Sequence, residues 1–147
     1  MKRLLFVCLG NICRSPAADG IAKAMVHYRG LDWQIDSAGT GGWHIGDPPD
    51  PRMVEAAAAR GIDLSSLRAR QAAPEDFRRF DHVYAMDRSN FANLSTIRPP
   101  GAPASLDLFL GDAEVPDPYY GGADGFDHVL DLISARMETL FDQLTVN

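Results

Sequence analysis

Cys8 and Arg14 stand five residues apart in VCLGNICRSP, with Leu9, Gly10, Asn11, Ile12 and Cys13 between them. A loop this short, holding Gly10 and Asn11 that tolerate positive φ, can turn successive backbone N–H groups inward and make an anion-binding nest. Ser15 followed by Pro16 reads as an N-cap with proline at the first helical position, so a helix dipole points its positive end at the same place. Arg14 adds a planar fork suited to two oxygens of a phosphoryl group. In such a field a thiol is held as a thiolate, a strong nucleophile and later a good leaving group, which serine is not without a separate base. The Ser15 hydroxyl can donate to the sulfur in both roles. The chemistry suggested is phosphoryl transfer through Cys8.

Other readings of the loop are weaker. Zinc would need further ligands, and His27, His44, His82 and His128 show no ligand spacing. A nucleotide-binding loop would end in Gly-Lys-Ser or Gly-Lys-Thr, where this one ends in Arg14, Ser15 and Pro16. Two buried packing cysteines are the plain alternative. Attack on phosphorus also needs a proton donor for the leaving oxygen, and Asp117 in VPDPYYGG is the candidate. Beside a bound dianion a carboxyl group holds its proton, so it can start as an acid and finish by activating water. A surface turn between Pro116 and Pro118 explains the same residues equally well. Tyr119 and Tyr120, with Trp43, can wall a cleft for a flat ring or pack on their own loops.

The chain around these residues has 147 positions, a net charge of -6, 46% hydrophobic residues and two cysteines. One domain with one sizeable core is expected, and the composition excludes a disordered or fibrous chain and a disulfide scaffold. Without a dense basic cluster a nucleic-acid partner is disfavoured. The apolar stretch after Lys2 and Arg3 is broken by Gly10, Asn11 and Arg14 before it becomes a signal peptide, and no run approaches the roughly 18 residues of a membrane span. A soluble, cytoplasmic protein with no membrane partner, monomeric or weakly oligomeric, is expected.

Strand and helix alternate along the chain. Residues 2–9 read as a strand buried on both faces, followed by a helix from about Pro16 to Arg29 whose apolar face is Ile21, Met25 and Tyr28. Trp33 to Ala38 reads as a second strand, and residues 39–51 form a loop rich in Gly and Pro. A helix from about Pro51 to Arg60 should end at Gly61. A short helix near residues 74–80 precedes a strand from Asp81 to Asp87; a helix follows from Ser89, then a strand from Ala104 to Leu110. The closing segment carries Phe126, Val129, Leu130, Ile133, Met137, Leu140, Phe141 and Leu144 at helical spacing. The pattern implies an α/β fold: an open four-stranded parallel sheet, right-handed crossovers, and helices on both faces in three αβα layers. Ligands of such sheets bind beyond the carboxyl ends of the strands.

With VCLGNICRSP, DSAGTGGWHIGDPPDPR, RARQ, MDRSN and DPYYGG in this order, the chain resembles the low molecular weight protein tyrosine phosphatases over its whole length. The resemblance implies hydrolysis of phosphotyrosine in proteins, without metal or other cofactor, through a phosphocysteine on Cys8. It implies that Arg14 binds phosphate and that Asp117 is acid and then base. It places Leu9 to Ser15 as the backbone cradle, Asn11 and Ser15 with Ser37 in its support, Asp87 as the orienter of Arg14, and Trp43, Tyr119 and Tyr120 around the ring. Asp87 also reads as a helix N-cap. Many relatives carry a histidine where this chain has Leu67, so one hydrogen bond to the loop network is expected to be missing.

Two other functions are weighed against this one. Arsenate reductases of the same fold relay a disulfide through downstream cysteines, and none follows Cys13. A silent phosphotyrosine-binding module would keep the cradle and lose Asp117. Cys13, in the same tight loop as Cys8, reads either as a small apolar filler or as a redox partner whose disulfide with Cys8 shields it from overoxidation.

Overall fold

Every residue from Leu4 to Cys8 is buried, as a strand covered on both faces requires. The computed structural model describes residues 1–122 and 124–146 and places this run in β1, Arg3–Cys8. The order continues with α1 (Arg14–Arg29), β2 (Gln34–Gly39), α2 (Pro51–Ala58), α3 (Asp76–Arg79), β3 (His82–Ala85), α4 (Arg88–Ile97), β4 (Ser105–Leu108) and α5 (Asp124–Thr145). The strands pair parallel in the order β2-β1-β3-β4. This is the expected four-stranded α/β sheet.

The pleat sorts β1 into two cores. Leu4, Phe6 and Cys8 face a cluster that includes Ala18 and Ile21 of α1, Met53 of α2 and Ile133 and Phe141 of α5. Leu5 and Val7 face the other side, with Phe77 of α3, Phe80 and Leu94 of α4. Phe6 lies at the centre of the first core, its ring 5.7 Å from both Tyr84 and Phe109, stacked on one and edge-on to the other. α5 buries Phe126, Val129, Leu130, Ile133, Met137, Leu140 and Phe141 of the stripe read from its spacing, and Leu144 at its end is partly buried.

Several boundaries differ from expectation. α1 starts at Arg14 and not at Pro16, and its buried face is Ala17, Ala18, Ile21 and Ala22, with Tyr28 exposed. Small side chains let the helix lie close on the sheet, so its inner face is alanine-rich and gives a weak hydrophobic pattern. α2 ends at Ala58 with Ala59 as C-cap, and Gly61 takes its left-handed φ of 80° in the turn beyond. Trp33 precedes β2 and packs against Phe141 at 4.6 Å between ring centres. β3 and β4 are four residues each, shorter than the apolar runs around them.

From β1 the chain crosses to β2 on one side and later to β3 on the other. The connections therefore part at the carboxyl end of β1, where a crevice opens at the strand-order reversal. Cys8 ends β1 at that point, and Asp87 lies two residues beyond β3. Among the described residues no helix is long and apolar enough to cross a membrane.

Candidate active site

Residues 8–13 form a cradle because their carbonyls are drawn outward. Cys8 O accepts from Thr40 N (2.9 Å), Leu9 O from Gly41 N (2.9 Å), Ile12 O from Asp50 N (2.8 Å) and Cys13 O from Ala17 N (3.2 Å). In a planar trans peptide the N–H points opposite to the C=O, so the amides of Leu9, Gly10, Cys13 and Arg14 face the inside. The reversal in the middle is made by Asn11, at φ 58°, a conformation asparagine tolerates better than most residues. Gly10 does not take positive φ; its missing side chain instead admits the His44 ring, whose Cδ2 would lie 3.1 Å from a Cβ there.

Asn11 is held at both ends of its amide. Its Nδ2 donates to Ser15 Oγ at 2.8 Å, and its Oδ1 accepts from Arg70 N at 3.0 Å. Ser15 is not the helix cap: Cys13 holds that position and no side chain caps α1. The Ser15 hydroxyl is engaged elsewhere, 3.0 Å from Cys8 Sγ and 3.3 Å from Ala38 O. The uncapped first turn keeps its N–H groups directed at the cradle. Ser37, expected beside Ser15 in this network, stands outside it; its hydroxyl donates to buried Asp19 at 2.8 Å. Burial raises the Asp19 pKa, although Lys23 and the Ser37 hydroxyl pull it down. Leu67 packs its partly buried side chain against the first core.

Arg14 is 3% exposed, and the structure surrounds its charge with acceptors. Nη1 donates to Asp87 Oδ2 at 2.7 Å and to Val115 O at 3.0 Å, and Nη2 lies 3.6 Å from Asp117 Oδ2. Burial opposes the charge, but Cys8, Asp87 and Asp117 outweigh it and raise the Arg14 pKa above its ordinary value. Asp87 makes contacts of both kinds, since its Oδ1 also accepts from Asn90 N at 2.7 Å as the N-cap of α4. Asp117 accepts from Tyr119 N through Oδ1 at 3.0 Å, which fixes the carboxyl group over the crevice.

Cys8, Arg14 and Asp117 line one cleft of about 380 Å³ that also takes in Leu9, Ile12, Trp43, His44, Tyr119 and Tyr120, while Asp87 supports Arg14 from behind. The Tyr119 and Tyr120 rings meet edge to face at 4.9 Å. Cys8 and Cys13 are both free and buried. Burial pushes the Cys13 thiol far up, and Asp50, Cys8 and Asp117 add to the effect against Arg52. Cys13 is thus held protonated. Among the described residues no cluster of His, Cys, Asp and Glu could hold a metal ion.

Two arginines that sequence reasoning passed over hold the site together. Arg52 pairs with Asp50 at 2.8 Å, donates to Tyr119 O at 3.1 Å and lies over the rings of Phe126 (4.8 Å) and Tyr119 (5.4 Å), tying the loop of Asp117 to the start of α2. Arg70 clamps Asp76 through two bonds of 3.0 Å and reaches Asp36 at 3.1 Å. This fixes the strap of residues 69–72, which bonds to Gly39 from both sides: Gly39 N donates to Arg70 O and Ala72 N to Gly39 O. The RARQ and DPR motifs contain both arginines and their nearest carboxylates, Asp50 and Asp76, are local, but Tyr119, Phe126 and Asp36, which tie them to the site, lie far away in sequence.

An arginine-oriented anion cradle, with a thiol at its floor, stands at the switch point of a parallel sheet; this is the arrangement of a cysteine-loop phosphatase fold. The chain belongs to the low molecular weight phosphotyrosine protein phosphatase family, whose profile matches residues 3–147. A relative from Schizosaccharomyces pombe of that name is 46% identical over 133 residues, covering 84% of this chain and 85% of its own. The crystal structure of a protein tyrosine phosphatase from Entamoeba histolytica superposes with TM-score 0.92 at 38% identity, covering 98% of this chain and 97% of that one. A structure described as a Drosophila arginine phosphatase superposes with TM-score 0.92 at 32% identity, covering 100% and 99%.

The cradle leaves no room behind it. A Cβ at Gly39 would stand 2.8 Å from Leu9 O and 3.1 Å from Asn11 N, all backbone. Gly39→Ala should therefore lower stability by about 1–3 kcal/mol through overpacking, read from urea unfolding; an unchanged midpoint would show that the loop gives way freely.

Proposed function

We propose that the protein hydrolyses aryl phosphate monoesters, with phosphotyrosine in a protein chain as substrate class, through a phosphocysteine on Cys8. The observation that carries this reading is the convergence of Cys8 Sγ, the inward amides, Arg14 and Asp117 on one cleft with aromatic walls. The amides and the free edge of Arg14 hold the non-bridging oxygens. The sulfur attacks phosphorus as the bond to the phenolic oxygen breaks, and Asp117 gives that oxygen its proton. Asp117 then takes a proton from water, whose oxygen attacks phosphorus while the P–S electron pair returns to sulfur. Ser15 has a single hydroxyl proton and two acceptors, Cys8 Sγ and Ala38 O. It donates to the sulfur while the sulfur carries charge and to the carbonyl once the sulfur is esterified. The Leu9, Ile12, Trp43, Tyr119 and Tyr120 side chains favour a flat ring over a hydroxyalkyl group.

Cys8→Ser should abolish turnover of p-nitrophenyl phosphate, by about 10³-fold or more, while inorganic phosphate still binds. Asp117→Asn should slow phenyl phosphate by about 10²–10⁴-fold and p-nitrophenyl phosphate far less; an equal loss on both would remove Asp117 as the acid. Because one structural neighbour is described as an arginine phosphatase, the substrate panel pairs phosphotyrosine with phosphoarginine, phosphoserine and arsenate, all with chelator. Preference for any of the last three would overturn the aryl assignment.

Cys13 has a redox role in the same reading. Peroxide takes Cys8 to the sulfenic acid, and the Cys13 thiol attacks that sulfur and expels water, leaving a Cys8–Cys13 disulfide that a dithiol reduces. The proton that burial keeps on Cys13 leaves with the water. After peroxide treatment, dithiothreitol should restore activity to the wild type and much less to Cys13→Ser. Equal recovery in both would refute the role.

A further inference from the structure

Beyond the main cleft, Leu9 and Trp43 form an apolar ridge, 40% and 73% exposed, and the far side of that ridge is a second cavity of about 300 Å³. Its other walls include Thr40 and Gln71 from the loops and Asn93 and Thr96 from α4. It differs from the main cleft in chemistry. The cleft contains Arg14 and Asp117; no residue lining the second cavity is charged. Its accessible polar groups are the side chains of Gln71, Asn93 and Thr96; the Thr40 hydroxyl oxygen is buried, with no hydrogen-bond partner among the described residues. Gln71 Nε2 donates to Thr40 O at 3.1 Å, which leaves the Gln71 carbonyl oxygen as an acceptor.

We infer that this cavity is a second substrate subsite, taking an uncharged side chain that lies one or two residues from the phosphotyrosine in a protein substrate. The inference rests on the phosphatase reading above. Leu9 and Trp43 line both cavities, so a phosphotyrosine ring held in the main cleft would have its backbone beside this ridge. In an extended peptide the chain advances about 3.3 Å per residue, so the next positions pass over the ridge to the second cavity. The two exposed apolar side chains of the ridge are then covered by substrate rather than left in water. A charged side chain entering the cavity would lose water without gaining a counter-charge, whereas a neutral one meets hydroxyl and amide partners. The subsite thus selects among phosphotyrosine sequences, and free aryl phosphates do not reach it.

Thr96 and Asn93 sit on the exposed side of α4, outside the phosphate cradle. Arginine has a higher helix propensity than threonine, so Thr96→Arg fills the cavity without a penalty to the helix. The test measures kcat and KM for p-nitrophenyl phosphate and for phosphotyrosine peptides that differ only in carrying Thr, Glu or Lys beside the phosphotyrosine. The wild type should prefer the Thr peptide, by about tenfold in kcat/KM. Thr96→Arg should remove that preference through KM, raise the Glu peptide relative to the other two, and leave p-nitrophenyl phosphate within about twofold. Asn93→Lys should act in the same direction. Peptide selectivity that is flat in the wild type, or unchanged in both variants, would overturn the subsite and leave the phosphatase reading intact. A wild type that turns over neither aryl phosphate nor phosphotyrosine peptide would overturn both.

Discussion

The site depends on one constraint: the carbonyls of Cys8, Leu9, Ile12 and Cys13 in the loop after β1 point away from its centre. Amides face inward only where the opposite edge of each peptide has a partner outside, and those partners come from three different segments. Thr40 and Gly41 follow β2, Asp50 caps α2, and Ala17 belongs to α1. Unpaired, each carbonyl would cost roughly the desolvation of a buried acceptor, about 1–3 kcal/mol. The sheet and helices around the loop thus act as its outer wall of donors.

Charge is handled just as locally. The chain carries a net charge of -6, yet the cleft contains a buried arginine and a ring of amides. Arg14 can remain ionised at 3% exposure because Asp87 and the Val115 carbonyl hold one edge of its guanidinium and Asp117 stands near the other. Asp87 and Asp117 arrive from different strands of the sheet, so the arginine also gauges whether the ends of β3 and the loop beyond β4 are in place. The distant field of the protein has little influence on an anion already inside hydrogen-bond range.

Much of this was legible in the chain itself. The strand-helix alternation, the stripe on α5 and the pairing of Cys8 with Arg14 follow from local patterns, because each is written in neighbouring residues or in the order of elements; Asp117 joins them only through the family resemblance, since a surface turn explains its own neighbourhood equally well. The support was harder to read. Ser15 looks like a helix cap because Pro16 follows it, and only the three-dimensional neighbours Cys8, Asn11 and Ala38 draw its hydroxyl away. Ser37 looks like part of the loop network but faces Asp19 across the first turns of α1. Arg52 and Arg70 stand inside recognisable motifs but carry no role there, since Tyr119, Phe126 and Asp36 lie on segments brought to them only by folding.

The bond between Asn11 and the Arg70 amide spans 59 residues of sequence. It closes a long loop that includes β2, α2 and the strap, so the strained residue at the heart of the cradle is pinned only when that whole stretch has found its place. Loop closure of this length is entropically late in folding. A partly folded chain can therefore possess β1, α1 and the cysteine without possessing an anion site, and the surroundings that activate the Cys8 thiol are assembled only when the protein around it is complete.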